Sequence, residues 1–408
     1  LAPVLGGDVR WSPSPDAHPF VRYRSLLHAH SAALASGLSD DDYVALVRRL
    51  DAKVAAVDGH GMRVTPFVRG PALPECDAPW VKDESVNVSG SHKARHLFGV
   101  LLHLEIARAA GFDPSPAPLA IASCGNAALA AAVLARAADR GLDVYVPPDA
   151  HPRVVARLGA LGARVHTCHR ASHGTGDPCV TAFREAVTRG AIPFSCQGSD
   201  NGLTLDGGRT LGYELMDAGA TLDRVFVQVG GGALASSVAR AFEAGVALGV
   251  IARAPRFMAV QGVSVAPLAA AYERVMAAIR TRDDASWPDD PDERAGFLAR
   301  RPTAERVLDD LRAHRARYLR PWLTPAPSVA HGILDDEVYD GAAVLRAVLR
   351  TGGRVLTVDE ATLQEAELYG WGRVDATGTA GLAGLMAWSR ERPRAPESRA
   401  VLFTGAKR

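Results

Sequence analysis

Along the middle of the chain the apolar positions follow two alternating rhythms. "SHKARHLFGVLLHLEIARAAG" places apolar residues at helical spacing and closes at Gly111, and "PLAIASCGN" is a short apolar run that opens into a loop. The pair then recurs. "NAALAAAVLARAADRG" predicts an alanine-rich helix ending at Gly141, "LDVYVPP" a buried strand, "HPRVVARLGALGA" an amphipathic helix and "RVHTC" another strand. A second set begins at Asp223, where "DRVFVQVGGGALASSVARAFEAG" reads as strand, glycine loop and helix, followed by the strand "RFMAVQG". From about Ala269 to Arg320 the rhythm is lost. "RTRDDASWPDDPDERAGFLARRPTAERVLDD" is charged and interrupted by proline, which predicts solvated helices and loops. Afterwards "YDGAAVLRAVLRTGG", "RVLTVDE", "ATLQEAELYG", "DATGTAGLAGLMAWSR" and "SRAVLFTG" alternate helix, strand, helix, helix and strand. Strands separated by helices of this length predict an α/β fold with parallel sheets covered by helices on both faces.

Composition narrows the setting. At 408 residues the chain exceeds the usual size of one hydrophobic core, so two lobes are expected. Hydrophobic residues make up 48%, charged residues 22%, and the formal net charge is +1, which gives no reason to expect a nucleic-acid partner. Runs such as "NAALAAAVLARAA" are interrupted by Arg and too short to span a bilayer, so no membrane partner is expected. Five cysteines, Cys76, Cys124, Cys168, Cys179 and Cys196, show no CxxC spacing. Neither a disulfide framework nor a metal site is indicated, and a reducing cytoplasm fits best.

Four loops carry candidate chemistry, because ligands in open α/β sheets collect where strands end and helices begin. "SGSHKAR" brings Lys93 to a helix start, where the helix dipole and partial burial favour a neutral, nucleophilic amine. Alone it also reads as a solvated lysine. "ASCGNAALAAA" sets Ser123, Cys124, Gly125, Asn126 and Ala127 at another helix start, where backbone N–H groups suit a carboxylate; the plainer reading makes Asn126 an N-cap. "VFVQVGGGALASS" exposes Gly230, Gly231, Gly232 and Ala233 between a buried strand and a helix, as a phosphate cradle requires. That loop lacks both GxGxxG and a Lys-Ser/Thr pair, which points to a phosphate outside a dinucleotide or triphosphate. In "AVLFTGAKR" a hydrophobic strand ends at Thr404, placing a hydroxyl at the sheet edge.

Together, in this order, the four loops resemble those of the fold type II pyridoxal-phosphate enzymes, the family of tryptophan synthase β subunit, cysteine synthase, threonine synthase and the serine/threonine dehydratases. The resemblance runs from "RVTPFVRGPALPE" to "LFTG", and "GGRTLGYEL", with Thr210, is similar to the stretch preceding the phosphate strand in relatives. It implies two open parallel-sheet lobes with helices on both faces and pyridoxal 5'-phosphate in the cleft. The expected large domain comprises 1–97 and 206–408, and a smaller mobile α/β domain comprises 98–205. Carried onto this sequence, the resemblance makes Lys93 the Schiff-base lysine and the acid/base for the Cα proton. Asn126 contacts the cofactor's phenolic oxygen, Ser123 to Ala127 hold the substrate carboxylate, Gly230 to Ala233 hold the phosphate, and Thr404 faces the pyridine nitrogen. A neutral hydroxyl there goes with elimination and replacement more than transamination. Members are commonly homodimers, so a homodimer is expected, and the regulatory domain of biosynthetic threonine dehydratases is not.

The resemblance also bears on the reaction. Replacement enzymes usually read K-D-R, whereas Lys93-Ala94-Arg95 and the whole of "SGSHKAR" are similar to D-serine dehydratase. That implies α,β-elimination on a β-substituted amino acid such as serine or threonine, through an aminoacrylate, giving a keto acid and ammonia. The alternative is β- or γ-replacement of the cysteine or threonine synthase kind; a cofactor-free binding protein on the same fold is a third reading. Three residues depart from the family pattern: His92 before the lysine, Ala127 after the loop asparagine, and Cys124 in the substrate loop. His92 is a candidate second proton-transfer group or a packing residue.

Overall fold

The computed structural model describes residues 9–74, 76–112, 116–169, 177–323, 326–392 and 397–407. Glu75, at the start of the family resemblance, and Thr324 and Pro325, before "APSVAHGILDDE", lie outside the described residues. The strands among the described residues are β1 (Phe67–Arg69), β2 (Trp80–Asp83), β3 (Leu119–Ala122), β4 (Leu142–Val146), β5 (Arg164–Thr167), β6 (Ile192–Pro193), β7 (Arg224–Gln228), β8 (Arg256–Gly262), β9 (Arg354–Val358) and β10 (Arg399–Phe403). The chain folds as two compact units, one of residues 1–64 and 86–210, the other of 65–85 and 211–408.

The first unit holds a four-stranded sheet in the order β5-β4-β3-β6, parallel throughout. Every residue of β4 is buried, Asp143 included, because helices cover both faces. Asp143 is satisfied there by two bonds from Arg164, at 2.8 and 2.7 Å. The compact units divide the chain differently from the expected domains, since residues 9–64 pack with 86–210. Two contacts account for this. The buried Asp206 carboxylate accepts the His28 and Ala29 N–H groups, each at 3.0 Å, capping the helix His28–Ala35 from a distant part of the chain. Phe20 also meets Phe98 with ring centroids 4.7 Å apart.

The second unit holds a six-stranded sheet, β1-β2-β10-β7-β8-β9, parallel except for the β1–β2 pair. The helix Ala376–Arg390 lies across β10, β7 and β8, and glycines allow the approach: a Cβ on Gly384 would overlap the Val260 side chain. Phe226, Met258, Val260, Leu382, Met386, Val401 and Phe403 fill the core beneath it. Residues 269–320 are more ordered than their charge suggests. Pro267, Pro291 and Pro302 each begin a helix, where the missing N–H costs nothing, and Leu268, Tyr272, Val275, Leu298, Val307 and Leu311 are buried. No helix among the described residues is long and apolar enough to cross a membrane.

Candidate functional site

In the first unit the approach to Lys93 is a tight reversal. Ser89 and Gly90 take φ of +54° and +66°, and the Ser89 N–H donates to Asp58 at 2.7 Å, which turns the chain into the helix Lys93–Ala109. That helix has His92 at its N-cap and no side-chain cap bond. Ser91, fully buried two residues before Lys93, has a hydroxyl oxygen with no hydrogen-bond partner. The chain contains four lysines, Lys53, Lys82, Lys93 and Lys407. Lys53 pairs with Asp139, Lys407 with Glu367, and the fully buried Lys82 with Glu214 and the Thr65 carbonyl. Half-buried Lys93 alone makes no ion pair or side-chain hydrogen bond among the described residues. Under its carbonyl, 3.9 Å away, is Cys196 Sγ, whose thiol is pushed up to about 11 by burial against the pull of the Lys93 charge.

Neighbouring residues fix the helix start. Arg95, fully buried, donates to Thr210 Oγ1 at 3.1 Å, and that hydroxyl donates to the Gly207 carbonyl at 2.7 Å. Thr210 is thus a tie to the lysine helix. In the sequence Arg95 figures only in the Lys93-Ala94-Arg95 motif; its bond to Thr210 was not legible there, although an arginine inside an apolar helix was the available signal. His92 is buried and meets His96 edge to face, centroids 5.7 Å apart. His96 Nδ1 lies 3.0 Å from the Thr204 carbonyl, which can only accept, so Nδ1 carries the proton.

The Ser123–Ala127 loop follows β3 in the same unit. Ser123 N–H donates to Tyr145 O at 3.2 Å, and the helix Asn126–Ala137 begins with Gly125, not Asn126, at its N-cap and no side-chain cap bond. The plain N-cap reading of Asn126 therefore fails: it is the first helical residue. Cys124 is exposed, the other four residues half-buried. This helix packs against both the Val88–Gly90 turn and the Lys93 helix, so the fold brings these two loops together.

The second unit holds the other two. β7 runs through Val229 into Gly230, Gly231 and Gly232, and the helix Ala233–Ala247 starts with Gly232 at φ +97° and no side-chain cap bond. Thr404 directly follows β10, which pairs with β7, and is 2% exposed. Its Oγ1 accepts a bond from Gln228 Nε2 at 2.8 Å. The same amide nitrogen faces the carbonyls of Thr377, Gly378 and Leu402 at 3.1, 2.8 and 3.2 Å, which assigns it as the donor end. Gln228 thus links the glycine-loop strand to Thr404. It was missed in the sequence, although a glutamine among Val and Phe in a buried strand signals a committed amide.

Within the first unit the Lys93 amine and the Ser91 hydroxyl have no hydrogen-bond partner among the described residues, and the helices at Lys93 and Asn126 start without side-chain caps, which suits an aldehyde and a carboxylate. Within the second, the uncapped helix start opened by a left-handed Gly232 suits a phosphate. Among the described residues no group of three or more His, Cys, Asp or Glu is placed to hold a metal ion.

Comparison with known proteins bears on the fold and the family. Maize serine racemase superposes with a TM-score of 0.58 at 16% identity, over 89% of this chain and 92% of that one. The processed form of threonine deaminase isoform 2 from Solanum lycopersicum gives 0.60 at 15%, over 91% of each chain. A pyridoxal 5'-phosphate-dependent aspartate racemase gives 0.60 at 19%, over 90% and 95%. At these identities the likeness is one of fold, and it is the fold type II arrangement. A search of curated protein sequences finds no match. Residues 60–405, most of the chain, match the family model described as pyridoxal-phosphate dependent enzyme, and the chain belongs to that family, with pyridoxal phosphate as its cofactor.

Proposed function

We propose that this enzyme is a lyase that catalyses α,β-elimination on a β-substituted amino acid such as serine or threonine, releasing a keto acid and ammonia. The observation that carries the reading is Lys93: among the described residues it is the one lysine of four with no ion pair or side-chain hydrogen bond, half-buried at an uncapped helix start. In this reading Lys93 Nζ would hold the cofactor covalently and, once the substrate's amino group displaces it, its freed amine would take the α-proton of the substrate. The N–H groups of Ser123 to Ala127 receive the substrate carboxylate, and Asn126 contacts the cofactor's phenolic oxygen. Gly230 to Ala233 receive the phosphate. Pyridoxal phosphate, when bound, supplies the electron sink for charge at Cα.

Thr404 speaks against transamination and is compatible with elimination and replacement alike. Gln228 donates to its oxygen and fixes the hydroxyl at the sheet edge, and a hydroxyl is a neutral group there. A neutral group of that kind leaves the ring nitrogen unprotonated, which disfavours transamination. His92 keeps its place as a candidate proton-transfer group, held against His96.

Threonine deaminases and serine and aspartate racemases share this fold, and Lys93-Ala94-Arg95 favours the lyase over replacement by a synthase. The enzyme is further proposed to be a cytoplasmic homodimer in which 98–205 is the mobile domain. The test is product analysis of the holoenzyme with L- and D-serine, threonine and their O-acetyl and O-phospho esters. Keto acid and ammonia from one of these compounds alone is the expected result, abolished in Lys93→Ala. Product only with an added thiol or amine makes it a synthase, and interconversion of L and D forms without keto acid makes it a racemase; either outcome sinks the lyase.

A further inference from the structure

The glycine loop after β7 carries an acidic neighbour. A Cβ built on Gly230 would overlap Asp335 Oδ2 and come within 3.1 Å of Ile333 Cα, so a carboxylate oxygen occupies the space beside the loop that the absent side chain leaves. The same stretch is anchored one residue further on, where Asp340 N–H donates to the Gly231 carbonyl at 2.8 Å. At Gly232 a Cβ would meet Asp340 Cβ and the Val338 and Val344 side chains, each at 3.3 Å. Residues 333–340, "ILDDEVYD", therefore lie along the loop and bring Asp335, Asp336, Glu337 and Asp340 with them.

This is an unexpected companion for a phosphate cradle. Successive glycine N–H groups at the start of the 15-residue helix Ala233–Ala247 attract an anion, and no side chain of the helix's own N-cap answers them. A carboxylate placed against the first glycine is drawn by the same field as a phosphate. The two anions repel one another in a partly buried site, where screening by water is weak.

Taking Gly230 to Ala233 as the phosphate loop, we propose that Asp335 is an internal ligand of that loop and competes with the cofactor's phosphate, so that loading requires the carboxylate to withdraw. The apparent affinity for pyridoxal phosphate is then reduced by the fraction of molecules in which the loop is clear. Asp335 becomes the residue that sets how tightly this enzyme retains its cofactor.

The test uses the full chain freed of cofactor and titrated with pyridoxal phosphate, inorganic phosphate and pyridoxal, which lacks the phosphate. Affinity is read by quenching of tryptophan fluorescence, and folding by circular dichroism. Asp335→Asn and Asp335→Ala are expected to bind pyridoxal phosphate about tenfold tighter, to gain affinity for inorganic phosphate, and to bind pyridoxal as the wild type does. Asp336→Asn, the adjacent acid, is the control and should match the wild type. Folded Asp335 variants that bind pyridoxal phosphate no tighter, or that gain equally for pyridoxal, overturn the proposal. A wild type that binds the cofactor while ignoring inorganic phosphate, and whose affinity Gly230→Ala leaves unchanged, overturns the phosphate-loop reading as well.

Discussion

Lys93 is distinguished less by its immediate sequence than by what its three counterparts do: each of the others is spent on a carboxylate. The residue beneath it offers a pH test of the local packing. Burial raises the Cys196 thiol from the ordinary 9.0 to about 11. Between those values the folded state keeps the proton that the unfolded state has released, so stability falls as pH rises. It is fully present below about pH 9 and lost toward about pH 11, at no more than about 1.4 kcal/mol per pH unit. Urea unfolding across this range should show the loss in the wild type and a shallower one in Cys196→Ala; parallel profiles would refute it. At this scale the sequence offers Lys93, Asn126 and Gly230 to Gly232 as candidates because their loops declare a chemistry. It did not reveal Gln228, or what Arg95 binds, because their partners lie more than a hundred residues away.

At the scale of elements, the position of the lysine helix depends on a close crossing. A Cβ on Gly207 would overlap the Arg95 carbonyl, and a Cβ on Gly99 would stand 2.8 Å from Gly207 N. Gly207→Ala must therefore push the first turn of the Lys93 helix aside. We expect a cost of about 1–3 kcal/mol together with weaker cofactor loading, seen by thermal unfolding and visible absorbance. An unchanged melting temperature would contradict the crossing. The strand and helix rhythm was plain in the sequence because β3, β4, β7, β8 and β10 are buried apolar runs bounded by turns. In the stretch from 269 to 320 the predicted helices and loops are present, and what the sequence hid, for a physical reason, is where the helices begin and that they bury apolar faces. A proline at the first position of a helix and one that breaks a helix look alike until the helix is seen.

At the scale of the molecule, the candidate residues divide between two compact units: Lys93 and the Ser123–Ala127 loop in one, the glycine loop and Thr404 in the other. The α/β class and the family were legible because four loops occur in order. The placement of residues 9–64 was not, since the apolar face of a helix does not name its partner and the Asp206 cap comes from far along the chain. The central claim is that Lys93 is the lysine that carries the cofactor. It is tested most directly by borohydride reduction of the enzyme loaded with pyridoxal phosphate, followed by digestion and peptide mass spectrometry. The account predicts a phosphopyridoxyl group on Lys93 alone. The same label on Lys82, Lys53 or Lys407, with Lys93 unmodified, would contradict it.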